Sequence, residues 1–310
     1  MKISFLMMAK NTSDYLPDAI RSLQAADGAD WELIIVDDHS DDQTRDIAMD
    51  YAEHDSRIRV FRNPYSGVVR GTSFAFEMSQ GDVIKCIDSD DVMSADFFRL
   101  AALHAKHDLV FHSASVVSQD MVFLSKYFPN PQWLTLDYGG VAQDLISLPK
   151  WCWSFSRDLG EKIFPLPEKL PIEDIWMSLL LKKFSVSPIF VDKSVYSYRQ
   201  HNNQIWGGIL NYERATTIKR STAILGVIDV LEECDGKSSN RSGCFSDISF
   251  AKAKAQHKFL LGEGSFRDFV RLNQSPSEVV RGLLLRYFPL PMPFLASAKW
   301  YLKSLKRRLQ

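Results

Sequence analysis

Val83-Ile84-Lys85-Cys86-Ile87-Asp88-Ser89-Asp90-Asp91-Val92 is a short apolar run that breaks into three carboxylates within four positions. Its first half reads as a buried strand, because Val83, Ile84 and Ile87 are β-branched and Gly81-Asp82 punctuates the entry. The second half cannot prolong that strand. Three acids so close repel one another unless a cation or hydrogen-bond donors lie among them. Carboxylates just past a strand's carboxyl end stand where open α/β sheets bind ligands. An Asp-x-Asp there offers hard oxygens to a divalent ion that takes its remaining ligands from water and phosphate. The plainer reading is a solvated turn in which Asp90 or Asp91 caps the next helix.

Upstream, Ile3 to Met8 reads as a first strand and Trp31 to Val36 as a second, which also ends in acids: Asp37-Asp38-His39-Ser40-Asp41-Asp42. Between them, Asn11-Thr12-Ser13-Asp14 supplies capping side chains before Leu16, Ile20 and Leu23 recur at helical spacing. A strand at Ile58 to Phe61, the turn Asn63-Pro64-Tyr65-Ser66-Gly67 and a helix from Thr72 lead into the stretch quoted above. Strands alternating with helices predict an α/β fold with a mostly parallel sheet covered on both faces. Both acid clusters then belong on one rim.

Downstream, periodicity weakens from Ser113 to Lys150, where loops are expected. Trp151-Cys152-Trp153-Ser154-Phe155 suits a strand with both tryptophans on one face, either a core pair or a platform for a sugar. Glu173 and Asp174 open a helix, where acids complement the helix dipole. Two further strands precede His201, and beyond Trp206 the pattern is helical. Two regions are therefore expected, 1–205 and a helical extension over 206–310. The segment 281–310 carries Arg281, Arg286, Lys299, Lys303, Lys306, Arg307 and Arg308 with no acid among them. Such an end suits either an anionic membrane surface or docking on its own domain.

A net charge of -1 over 310 residues gives no field directed at nucleic acid. The four cysteines are scattered and read as reduced thiols. The N-terminal apolar run is followed by Asn-Thr-Ser-Asp and reads as a strand, not a signal peptide. No stretch reaches the roughly 20 apolar residues that span a bilayer. A cytoplasmic protein is expected, peripheral at the inner face of the membrane if the basic end binds there.

Taken in order, these motifs resemble the glycosyltransferase 2 family, inverting nucleotide-sugar transferases of the Rossmann-like GT-A fold. The matching residues are the first strand into Asn11 and Tyr15-Leu16-Pro17, Ile34 to Asp42, Gly67, Gly81-Asp82, Asp88-Ser89-Asp90-Asp91, Glu173-Asp174 and His201. The resemblance implies that Asp38 accepts a hydrogen bond from the nucleotide base, with the Ala9 backbone and Asn11 in the same pocket. It places Asp88 against the ribose or the metal's water shell, and Asp90 and His201 on Mn2+ or Mg2+ bridging the diphosphate. Asp174 becomes the general base, with Glu173 orienting the acceptor or a loop. The family's usual Gly after the acid pair is His39 here, and its Arg-Asn before the fourth strand is Thr72-Ser73, so Arg70 is carried as a diphosphate contact. A uridine diphosphate sugar is the donor the family favours, with a saccharide or lipid-linked acceptor. Two alternatives stand beside it: a nucleotidyltransferase making nucleotide sugars, for which the first loop lacks glycines, and a non-catalytic nucleotide-sugar-binding module.

Overall fold

Nine strands form one mixed sheet in the computed structural model, which describes residues 1–25, 29–201, 204, 213–235, 245, 247–273 and 275–287. They are β1 (Ile3–Ala9), β2 (Trp31–Asp37), β3 (Ile58–Arg62), β4 (Val83–Asp88), β5 (Val92–Met93), β6 (Leu109–Ser118), β7 (Phe123–Tyr127), β8 (Trp153–Ser156) and β9 (Pro188–Gln200). Their order is β3-β2-β1-β4-β8-β6-β9-β5, with β7 also paired to β6. The first four are parallel, as the alternation of strands and helices requires. Beyond β4 the sheet is mixed, because β8 runs antiparallel to both β4 and β6 while β9 runs parallel to β6. That half falls in the region where periodicity is weak.

Every residue of β2 is buried, and all but one of β1, so these central strands show no alternation of apolar and polar positions. Helices Leu16–Gln24, Thr44–His54 and Val68–Met78 connect the parallel strands. Register then places the chemistry. Ala9 pairs with Asp37 and Met8 with Asp88, so the carboxyl ends of β1, β2 and β4 share one rim. The expected strand over 151–155 is shorter: Trp151 sits in a 3-10 turn over Lys150–Cys152, and only Trp153 enters β8. Both indoles are buried, which favours the core reading.

The chain divides into two compact units, Met1–Gln200 and His201–Gln310. Described residues of the second unit form helices Arg214–Asp235, Ala251–Leu261, Phe266–Leu272 and Pro276–Tyr287. Phe259 is its buried centre, stacked on Phe269 with ring centroids 4.3 Å apart. Among the described residues no helix is long and apolar enough to cross a membrane. Of the basic segment 281–310, positions 288–310 lie outside the described residues.

At the amino-terminal ends of the parallel strands, the turn into β4 is tied to β1 and β2. Ser4 donates through Oγ to Glu32 at 2.6 Å and accepts the Gly81 amide at 2.7 Å. A Cβ on Gly81 would lie 2.6 Å from Ser4 Oγ, 2.7 Å from its backbone N and 2.8 Å from the Lys2 carbonyl. Two of these atoms are backbone and cannot swing away. Gly81→Ala is expected to cost about 2 kcal/mol or more. Thermal unfolding checks this, with a drop in Tm on the order of 5 °C for a unit of this size.

Candidate active site

Immediately after β4 the chain folds back on itself, with the Asp91 amide donating to the Asp88 carbonyl at 3.3 Å, and then enters β5. This turn brings one oxygen each of Asp88, Asp90 and Asp91 within 4.8 Å of the others. Neither Asp90 nor Asp91 caps the following helix, whose N-cap is Ala95. Asp91 is buried; its Oδ1 accepts the Arg199 amide of β9 at 2.7 Å, while its Oδ2 has no hydrogen-bond partner. Burial, followed by the charges of Asp90 and Asp88, pushes the Asp91 carboxyl well above the usual carboxylate range. Burial also raises Asp88. Three hard oxygens at this spacing, one acid with an orphaned buried oxygen, suit a divalent cation. The sequence points to Asp90 and His201 as metal ligands; Asp91, which it gave no ligand role, is the most buried of the three acids in this turn.

Across from the turn stands a residue that sequence reading missed. Lys150 reaches Asp88 Oδ1 at 3.2 Å and donates to Glu173 Oε1 at 2.7 Å. Its backbone amide donates to Asp174 Oδ1 at 2.9 Å. One residue thus gathers acids from the end of β4 and from the first turn of the helix Glu173–Phe184. Burial alone would lower the Lys150 ammonium, but Asp88 and Glu173 hold it well above the ordinary lysine range. Asp174 is pushed up to about 7, first by burial and then by the adjacent Glu173 charge.

A second buried lysine supports the first. Lys85 of β4 is fully buried and donates to the carbonyls of Trp151 and Trp153, the latter at 3.1 Å, and to His112 Nε2 at 3.0 Å. Burial brings its ammonium down to about 7. Trp151 lies flat on Tyr196, with ring centroids 5.4 Å apart and planes 4° from parallel, and also stacks on Tyr198 at 5.0 Å. The Asp88 amide donates to the Tyr196 hydroxyl at 3.0 Å. The backbone carrying Lys150 is therefore fixed from below and from one side.

On the β1–β2 side of the rim, the Asp38 amide donates to the Ala9 carbonyl at 2.8 Å. Asp38 Oδ1 accepts from Asn63 Nδ2 at 2.7 Å and from the Gly67 amide at 2.9 Å, while Oδ2 faces Lys10 Nζ at 3.5 Å. Asn11 accepts the Asp41 amide at 2.9 Å and donates its own amide to Ser40 Oγ at 3.1 Å. His39 has φ +57°, the left-handed conformation that glycine adopts most freely, so the backbone shape expected of a glycine survives its replacement. Since β1 separates β2 from β4, Asp38 lies roughly two strand spacings, about 10 Å, from Asp88 along this rim. Arg70 pairs with Glu168, with its guanidinium 5.6 Å from the Tyr65 ring centroid. His201 follows β9 directly and opens the second unit.

A family model described as glycosyl transferase family 2 matches residues 4–164. TuaG of Bacillus subtilis, named as a putative teichuronic acid biosynthesis glycosyltransferase, is 29% identical over 210 residues, covering 66% of this chain and 81% of TuaG. WfgD of Escherichia coli, named as a UDP-Glc:alpha-D-GlcNAc-diphosphoundecaprenol beta-1,3-glucosyltransferase, is 32% identical over 95 residues, covering 30% of this chain and 37% of WfgD. The crystal structure of S. aureus TarS 1-349 with UDP-GlcNAc superposes with a TM-score of 0.57 at 16% identity, covering 91% of this chain and 89% of TarS 1-349. That likeness establishes the GT-A fold.

Removing the Lys150 cation strands ionised acids in a buried setting. Lys150→Met is expected to destabilise the protein by roughly 3 kcal/mol or more at pH 8. The loss shrinks toward pH 5, where the raised carboxyls take up protons and no longer need the cation. Urea denaturation of both proteins at the two pH values measures the difference.

Proposed function

The chain belongs to glycosyl transferase family 2 and is a glycosyltransferase, and from that premise we propose how its residues divide the work. The reaction is transfer of a sugar from a nucleoside diphosphate donor, a uridine diphosphate sugar, to a hydroxyl of a saccharide or lipid-linked acceptor. It proceeds with inversion and serves synthesis of a surface polysaccharide or glycoconjugate. The observation that carries this reading is the meeting of the Asp88-Asp90-Asp91 turn with Asp174 through Lys150.

Asp38 holds the base end of the donor: with Oδ1 committed to Asn63 and Gly67, Oδ2 is the oxygen that accepts from the base. Ala9 and Asn11 shape that pocket from the end of β1, Asp88 meets the ribose, and Arg70 reaches the diphosphate by leaving Glu168. Asp90, with Asp91 beside it, holds Mn2+ or Mg2+, and His201 is the further ligand, two residues past the Arg199 amide that binds Asp91. The cation supplies neutralisation of charge on the departing diphosphate. Asp174 takes the acceptor proton as the hydroxyl attacks the anomeric carbon from the face opposite the leaving group. Glu173, fixed by Lys150, keeps that base in place and raises its basicity.

The same site supports a donor-only assay, slow release of nucleoside diphosphate from a sugar donor with Mn2+. Asp90→Ala should abolish metal-dependent donor binding; calorimetry showing equal affinity with and without chelator would take Asp90 out of the metal site. Asp174→Asn should leave donor affinity within about twofold while transfer falls by 10²-fold or more. Because the base must be ionised, kcat/KM should rise with pH to a plateau. Its apparent pKa should lie at or below about 7, since a bound cation pulls the Asp174 value down.

A further inference from the structure

Five of the fourteen large apolar side chains exposed among the described residues fall between positions 121 and 128: Met121, Val122, Phe123, Leu124 and Phe128. They occupy the tip and root of the β6–β7 hairpin. Val122 and Phe123 are 61% and 62% exposed. Ser118 closes the turn, its amide donating to the Val122 carbonyl at 2.8 Å. Beyond it, the ladder pairs Val117 with Phe123 and Val116 with Ser125, so Leu124 is an extra residue in a bulge.

A strand meant to lie on a protein surface alternates apolar and polar side chains. This tip does not: Met121-Val122-Phe123-Leu124 are four apolar side chains in succession, all presented to solvent. A second copy adding to the sheet edge would need a continuous ladder, and the bulge interrupts it. An environment that surrounds the tip on every side fits both facts. Lys126 stands nearer the root, its ammonium 4.6 Å from the Phe128 ring centroid and 2.6 Å from Asp192, as a cation does when its apolar neighbours enter lipid. We propose that the Met121–Leu124 tip inserts into the interfacial layer of a lipid bilayer.

The hairpin is continuous with the site. Tyr127 at its root packs edge-on against Trp151, with ring centroids 4.9 Å apart, and Trp151 is the residue after Lys150. Five strand residues span about 17 Å. A tip buried about 5–10 Å in the headgroup layer therefore keeps the acids within reach of a saccharide tethered at the surface. This deepens the acceptor assignment above and rests on it for the tether: the acceptor is a saccharide carried on a membrane lipid.

The tip carries no basic residue and the chain's end does, so lipid charge separates the two modes of attachment. Flotation of the full chain on zwitterionic phosphatidylcholine vesicles at high salt, where charge attraction is screened, reads the hairpin alone. Wild type should float, and Val122→Ser/Phe123→Ser should reduce its partition coefficient about tenfold or more with donor hydrolysis unchanged. Wild type that stays in solution, or a double variant that floats equally well, overturns the proposal. So does light scattering that finds a wild-type dimer which the variant converts to monomer without any vesicle binding by either. A protein that floats through its hairpin yet releases nucleoside diphosphate from no sugar donor keeps the docking surface and sinks the transferase assignment instead.

Discussion

A single ammonium group, Lys150 Nζ, is shared between Asp88 and Glu173, and the arrangement of the site depends on it. Buried carboxylates tolerate one another only when a cation stands among them. Asp88 arrives at the end of a central strand, and Glu173 and Asp174 arrive 85 and 86 residues later at the start of a helix. Nothing in either segment alone dictates their meeting. The lysine does, because each acid lowers its own desolvation cost by approaching it.

That lysine is itself held by a second one. Lys85 is buried in the middle of β4, where a charge is expensive, and its hydrogen bonds to the Trp151 and Trp153 carbonyls and to His112 are what make it tolerable there. Burial, then the neighbouring Lys85 charge, hold His112 well below its ordinary value, so the imidazole accepts rather than repels. The strand that delivers Asp88 to the rim thereby also fixes the backbone of the turn that carries Lys150. Stacking of Trp151 on Tyr196 and Tyr198 extends the same support to β9, from which Arg199 reaches Asp91.

The four parallel strands and their rim were legible because each is a short apolar run ending in polar punctuation, a pattern local enough to read from neighbouring residues. Asp38, Asp88, Asp90 and Asp174 stand out as candidates for the same reason: acids at element boundaries are conspicuous against apolar strands and helix starts. Lys150 was not. It lies in Leu148-Pro149-Lys150-Trp151, a stretch with no period, and its value comes from partners far away in sequence. The one available signal was a lone lysine enclosed by apolar residues, a pattern also found in Lys85. The mixed half of the sheet escaped for a related reason, since β6, β8 and β9 are ordered by pairings between distant segments, whereas β1 to β4 follow one another with a helix in each of the intervals.

Charge links the two groups of acids that Lys150 joins. Lys150 places one positive charge between Asp88 and Glu173, and its backbone amide holds Asp174. In the turn after β4, Asp91 keeps a buried oxygen with no hydrogen-bond partner. A divalent ion bound there would satisfy the turn and weaken the pull of Asp88 on Lys150, leaving the ammonium closer to Glu173. Glu173 would then repel Asp174 less, and the Asp174 carboxyl would ionise more readily. Linkage runs both ways: a cation that favours ionised Asp174 would, by the same coupling free energy, be bound more tightly when Asp174 is ionised. Lys150 is thus the residue through which the Asp88-Asp90-Asp91 turn and the Glu173-Asp174 pair are coupled electrostatically.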